Sequence, residues 1–234
     1  MRKTVLTQLA LVALATSPVL AQQPGGATSD PTKKVTGSGQ LVPGWTMRFD
    51  PIIARPGRPT PPTPQATDVS FVTMGSGLHV TSGPAAIYYR AADNATGEYA
   101  VSATFAQRKS MQHEAYGLFI GGANLQDSTQ AYTYFVIRPM DGAILINHRA
   151  GDARPKQIVP WTPEPAVNKE DATDGKATNT LTIHVAKDTV HFLANGKLVR
   201  AIPKADLGGA TDGLAGLRVN HNLDLHISDF KVGK

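Results

Sequence analysis

Apolar and polar residues alternate in short runs along most of this chain. Trp45-Thr-Met-Arg-Phe49 is the first, and residues 71–74, 78–80, 87–89, 98–105, 116–120, 132–138 and 143–148 follow. The series resumes at 181–185, 190–194, 197–202, 214–219 and 223–232. Each run is rich in β-branched and aromatic residues, and Gly, Asn, Asp or Pro separates it from the next. Period-two segments at this spacing predict an all-β sandwich or barrel. No fixed-period repeat is present, which argues against a propeller or solenoid.

The last third carries the clearest register. In residues 181–194 the alternation reverses around Lys187-Asp188, as a two-residue hairpin turn requires. That register puts Leu181, Ile183, Val185, Val190 and Phe192 on a core face, and Asn195-Gly196 supplies a second turn. Leu223, Leu225 and Ile227 alternate in the same way. The apolar parity then moves to Phe230 and Val232, which predicts a β-bulge near Ser228-Asp229.

Two segments break the pattern. Residues 1–21 begin with Arg2-Lys3, continue in an apolar run from Val5 to Leu14, and end Val19-Leu20-Ala21. A charged start, short apolar core and small-x-small exit predict a secretory signal cleaved after Ala21, hence a periplasmic or extracellular location. The run is too short to span a bilayer comfortably, so no membrane span is expected in the mature chain. Residues 22–40 read as a flexible tether, and residues 41–234 as the β domain. Inside that domain, residues 51–64 hold six prolines, predicting an extended polyproline-like surface insertion.

Composition narrows the function classes. The chain has no cysteine, so an exported version must rely on packing and not on disulfides. Loss of Arg2 and Lys3 with the signal takes two charges from the net +5 and leaves +3. No basic run exceeds two residues, so the counterion-releasing stripe of a nucleic-acid binder is missing.

The segment NTLTIHVAKDTVHFLANGKLV, followed by GLAGLRVNHNLDLHISDFKV, resembles the closing strands of concanavalin A-like and laminin G-like jelly rolls. It is most similar to the 3-keto-disaccharide hydrolase-type domain. EAYGLFIGGANLQDSTQAYTYFVIRPMDGAILINHRAGD resembles the strands that line the concave sheet of that family. The resemblance implies a two-sheet antiparallel β-sandwich of jelly-roll topology. It also implies an acid in the concave-sheet strand, where this chain reads Tyr132-Thr133-Tyr134. Threonine is neither a strong ligand for a divalent ion nor a general base at neutral pH, which speaks against catalysis.

Candidate ligand-binding residues are Tyr132, Tyr134 and Arg138, which share one face of a regular strand, with Trp161 as a further stacking ring. Packing against a second sheet is an equally good use of such a face. His184 and His191 become cross-strand partners in the predicted hairpin, close enough to share a divalent metal. The hairpin supplies no third ligand, and a half-solvated histidine pair is the commoner outcome. His221 and His226 flank the last turn, where polar loop-tip residues carry recognition or simply terminate strands. Glu170, Asp171 and Asp174 crowd one loop, where calcium binding competes with the commoner ordinary solvation. No cofactor motif occurs.

Three readings follow. The first is an exported, non-catalytic binder of carbohydrate or another polar ligand. The second is an enzyme acting on 3-keto-glycosides. The third is an interaction subunit that meets a protein partner in the cell envelope.

Overall fold

The computed structural model describes residues 39–54, 56–57, 59–108 and 114–234. The predicted signal and nearly all of the tether therefore lie outside the described residues. Fourteen strands account for most of the described chain. In order they are β1 (Trp45–Phe49), β2 (Val69–Met74), β3 (Gly77–Ser82), β4 (Ala86–Ala95), β5 (Tyr99–Gln107), β6 (Tyr116–Ala123) and β7 (Ala131–Arg138). Then come β8 (Ala143–Ala150), β9 (Lys156–Pro163), β10 (Ala177–Val185), β11 (Thr189–Ala194), β12 (Lys197–Pro203), β13 (Gly213–Val219) and β14 (Leu223–Gly233). Among the described residues no helix is long and apolar enough to cross a membrane.

The strands form two antiparallel sheets of seven. The first runs β1-β4-β13-β6-β7-β8-β9 and the second β12-β11-β10-β5-β14-β3-β2. Their facing sides bury one large core that includes Tyr88, Phe105, Tyr116, Phe135, Ile144, Ile183, Phe192 and Leu217. β5 and β10 alternate buried and more exposed positions, as strands with one wet face should. β6, β7 and β8 are buried at nearly every position. Their almost continuous apolar sequences belong to strands covered on both faces.

The predicted hairpin is present. His184 pairs with His191 and Ile183 with Phe192, and Ala186 N–H closes the turn onto the Thr189 carbonyl. Asn195 and Gly196 take the positive φ angles of 51° and 77° expected of the second turn. The bulge falls where the parity shift places it: β14 loses register against β5 between Ser228 and Lys231, with Asp229 at φ 54°.

One sequence expectation needs correction, and one position named there needs placing. β9, with Pro160 inside it, was not expected as a strand. It is the outer strand of the first sheet, where a proline costs no ladder bond on the solvent side. Thr133 points to the inner side of its sheet. It shares parity with Phe135 and Ile137, faces the inter-sheet core with 0% exposure, and bonds His148 Nδ1 at 3.0 Å. Thr133, the position at which the resemblance implied an acid, thus lies on the core side of the sheet and away from its outer face.

Candidate functional site

The outer face of the first sheet carries a second apolar cluster, built from Ile87, Tyr89, Phe119, Leu125, Tyr132, Tyr134, Val136 and Leu145, with Trp161 packed against it. The period of two explains its membership. Residues 132, 134, 136 and 138 project from β7 on this side, and 145, 147 and 149 from β8. Gly216 leaves room for Phe119, because a Cβ there would sit 2.6 Å from that ring.

Polar groups are embedded in this face. Arg149 is 3% exposed and Arg218 5% by side chain. Arg218 holds Asp50 with both terminal nitrogens, at 2.5 and 2.7 Å. Arg149 reaches the same carboxylate at 3.5 Å. Its Nε donates to the Tyr132 hydroxyl at 3.0 Å, and Nη1 donates to the carbonyls of Gly151 and Ala153. Asn147 donates to the Tyr134 hydroxyl at 2.8 Å, leaving its own Oδ1 buried without a partner. Tyr132 and Tyr134 also lie under the guanidiniums of Arg149 and Arg218, at 5.9 and 5.3 Å from ring centre to carbon.

The ionisation of Asp50 follows from these neighbours. Burial alone would raise its carboxyl, but Arg218 first and Arg149 second outweigh burial and hold it below the ordinary carboxylate value. Burial likewise disfavours charge on Arg218, and Asp50 more than restores it. Burial pushes the Tyr132 hydroxyl up to about 12, so it stays protonated.

A cavity of about 640 Å³ opens beside this network. Asp50, Tyr134 and Arg149 line it from the sheet side, Arg154 and Pro155 from the loop after β8, and His221 from the last turn. Pro59, Pro61, Pro62 and Pro64 supply a facing apolar wall. The proline-rich insertion is therefore part of the site, a role its composition alone did not indicate. Farther along, Arg48 on β1 meets Asp152 at 3.2 Å, although four strands separate β1 from β8 in the sheet. Gln130 also donates to Asp152, and Gln126 to the Tyr89 hydroxyl. Side chains from both flanks thus close over this part of the face.

The sheet likeness can now be placed among known proteins. No family model matches this sequence, and no curated protein matches it. Solved structures do match. The carbohydrate binding module CBM66 from Bacillus subtilis superposes with a TM-score of 0.56 at 9% identity, over 82% of this chain and 96% of that one. The fold is the concanavalin A-like jelly roll. A glycoside hydrolase family 16 endo-glucanase from Bacteroides ovatus, in complex with G4G3G-2F-DNP, gives 0.53 at 10% identity, over 80% and 94% of the two chains. A GH16 structure of the mixed linkage glucan locus of the same organism, in complex with the G4G4G3G product, gives 0.53 at 8%.

The sequence candidates fall as follows on this jelly roll. Tyr132 and Tyr134 do share the outer face with Arg138, but they are 1% and 6% exposed, and of the two only Tyr134 lines the cavity. Arg138 pairs with Asp141 and stacks on Trp161 at 4.3 Å, away from the cavity lining. His184 and His191 face each other on the outer side of the second sheet with ring centres 5.7 Å apart. Among the described residues no three His, Asp or Glu side chains converge as a metal ion would require. In the crowded acidic loop, Asp171 accepts from the backbone of Thr173 and Asp174, and Glu170 accepts from Gln107. Asp50, Arg149 and Arg218 did not emerge from the sequence. Their signal was present: Arg149 and Arg218 are charged residues inside otherwise apolar strands, and such residues are buried only with a partner.

Proposed function

We propose that this jelly roll binds carbohydrate without turning it over, through the cavity beside Asp50. The observation that carries the reading is the combination lining that cavity: an ionised carboxylate, a buried guanidinium, a tyrosine and a wall of prolines. Sugars present hydroxyls on their edges and C–H groups on their faces. A carboxylate accepts two hydroxyls, a guanidinium donates to ring and hydroxyl oxygens, and flat apolar rings cover the C–H face. Fold likeness to a carbohydrate binding module and to two GH16 structures agrees with this chemistry. Asp50 is the one carboxylate among the described residues that line the cavity, and glycoside hydrolysis ordinarily needs a pair. That favours binding over hydrolysis, including hydrolysis of 3-keto-glycosides. Export through residues 1–21 belongs to the same proposal, since it would bring the domain to extracellular glycans.

A glycan array followed by calorimetry tests the reading. The wild type is expected to retain at least one class of oligosaccharide, and Asp50→Asn to lose it. Asp50→Asn also unbalances two buried arginines, so His221→Ala, at the half-exposed rim, serves as a milder second variant. Silence of the whole array, or unchanged binding in both variants, would remove the cavity as a sugar site.

A further inference from the structure

We infer that the sugar this cavity takes carries an oxyanion, and that Arg149 and Arg154 receive it. The inference rests on the carbohydrate reading above and specifies its ligand.

The ground is an imbalance of buried charge. Arg149 and Arg218 are both almost fully buried and share a single carboxylate, Asp50. Arg218 takes both of its oxygens at hydrogen-bonding distance, while Arg149 stands at 3.5 Å. The other acceptors of Arg149 are neutral: the Tyr132 hydroxyl and the carbonyls of Gly151 and Ala153. Nε and Nη1 of Arg149 go to these neutral oxygens and Nη2 faces Asp50 at 3.5 Å, so its charge is only partly cancelled. A charge left uncompensated in a poorly hydrated site is costly, and a bound anion relieves that cost. The tyrosine rings beneath the two guanidiniums lessen the excess but bring no full negative charge.

The surroundings add to the excess. Arg154 reaches the same cavity from the solvent side and makes no ion pair among the described residues. Asp152, its nearest acid in sequence, is already taken by Arg48 and Gln130. Glu114 lies 3.8 Å from His221 and faces that ring. Residues 51–64, which contribute the opposite wall, contain no Asp or Glu in their sequence. Guanidinium groups bind carboxylate and sulfate with charge-assisted hydrogen bonds. An oxyanion at this spot is therefore either the carboxylate of a uronic acid or a sulfate ester.

Calorimetry on the full chain separates the cases. The probes are a gluco-oligosaccharide, the matching oligoglucuronate and the matching sulfated gluco-oligosaccharide, each at low and high salt. Tighter binding of an acidic probe than of the neutral one, with an advantage that shrinks in high salt, is expected. Arg154→Gln should weaken the acidic probe about three- to tenfold and leave the neutral probe nearly unchanged. This variant removes an exposed side chain that makes no ion pair among the described residues, so folding is not at risk. Preference for the uronate or for the sulfate alone supports the inference and names its source. Equal affinities for neutral and acidic probes, or an equal effect of Arg154→Gln on both, overturns it while leaving the sugar site standing. Failure of all three probes, together with a silent array, overturns both.

Discussion

Tyr132 and Arg138 share a strand face and differ in what they do for the fold. The Tyr132 ring is buried among Phe119 and Tyr134, and its hydroxyl is held by Arg149. Arg138 keeps its contacts to Asp141 and Trp161 at the partly solvated end. Tyr132→Ala should therefore cost about 3–5 kcal/mol in denaturant unfolding, as for other buried aromatic truncations, and Arg138→Ala less than about 1 kcal/mol. Equal losses would mean that the face is open. Alternation alone revealed that the two residues are neighbours, but not what lies above them. That covering comes from residues distant in sequence. Acid sensitivity is also a property of single residues here. Burial first and Lys156 second lower His148, so its neutral form is favoured in the fold. The resulting stability is present above the unfolded histidine value of about 6.5 and is lost as pH falls through the folded value. Asp50 is also depressed, so its contribution is present above about 3.9 and is lost at still lower pH. Urea midpoints measured against pH should fall in two stages, and because burial also lowers His79, His148→Gln should shrink the first stage without abolishing it. A midpoint constant down to about pH 4 in the wild type would contradict the histidine assignment.

Elements were legible in proportion to how much of their pattern is local. The β10–β11 hairpin needs only a turn and alternating parity, and its register follows residue for residue. Phe192 is fully buried and its neighbour Leu193 only half so. Phe192→Ala is expected to cost about 3–5 kcal/mol and Leu193→Ala under half of that, both read from thermal or chemical unfolding. The bulge in β14 was readable for the same reason, since the parity shift itself encodes it. β9 was not, because its proline argues against a strand unless the strand is known to lie at an edge, which is a fact about sheet order. The segment 51–64 is the strongest case. Its prolines dictate an extended path and say nothing about which surface that path borders.

At the level of the molecule, two seven-stranded sheets and no cysteine set what spectroscopy should find. The far-ultraviolet circular dichroism spectrum should be that of β structure, and unfolding should be cooperative and indifferent to reductant. Helix above about a fifth of the residues would be incompatible with this architecture. The all-β class was readable in the sequence because a dozen alternating segments admit few arrangements, and the jelly-roll topology came from the resemblance of the closing strands. The site was not, because Asp50, Arg149, Arg154, Arg218 and His221 meet only once strands from opposite ends of the chain are side by side. The Arg48–Asp152 bridge adds a constraint of a different kind. By joining the two flanks above the first sheet, it lays a side-chain bridge across the outer face beside the cavity. On the carbohydrate reading proposed above, a long polymer laid along that face meets this bridge and is expected to engage the cavity by a terminus. The amount of protein held by a polysaccharide of fixed mass should then double each time the chains are cut in half. A trough-type binder would show no such gain, and Asp152→Ala, which severs the bridge, should move this protein toward that behaviour.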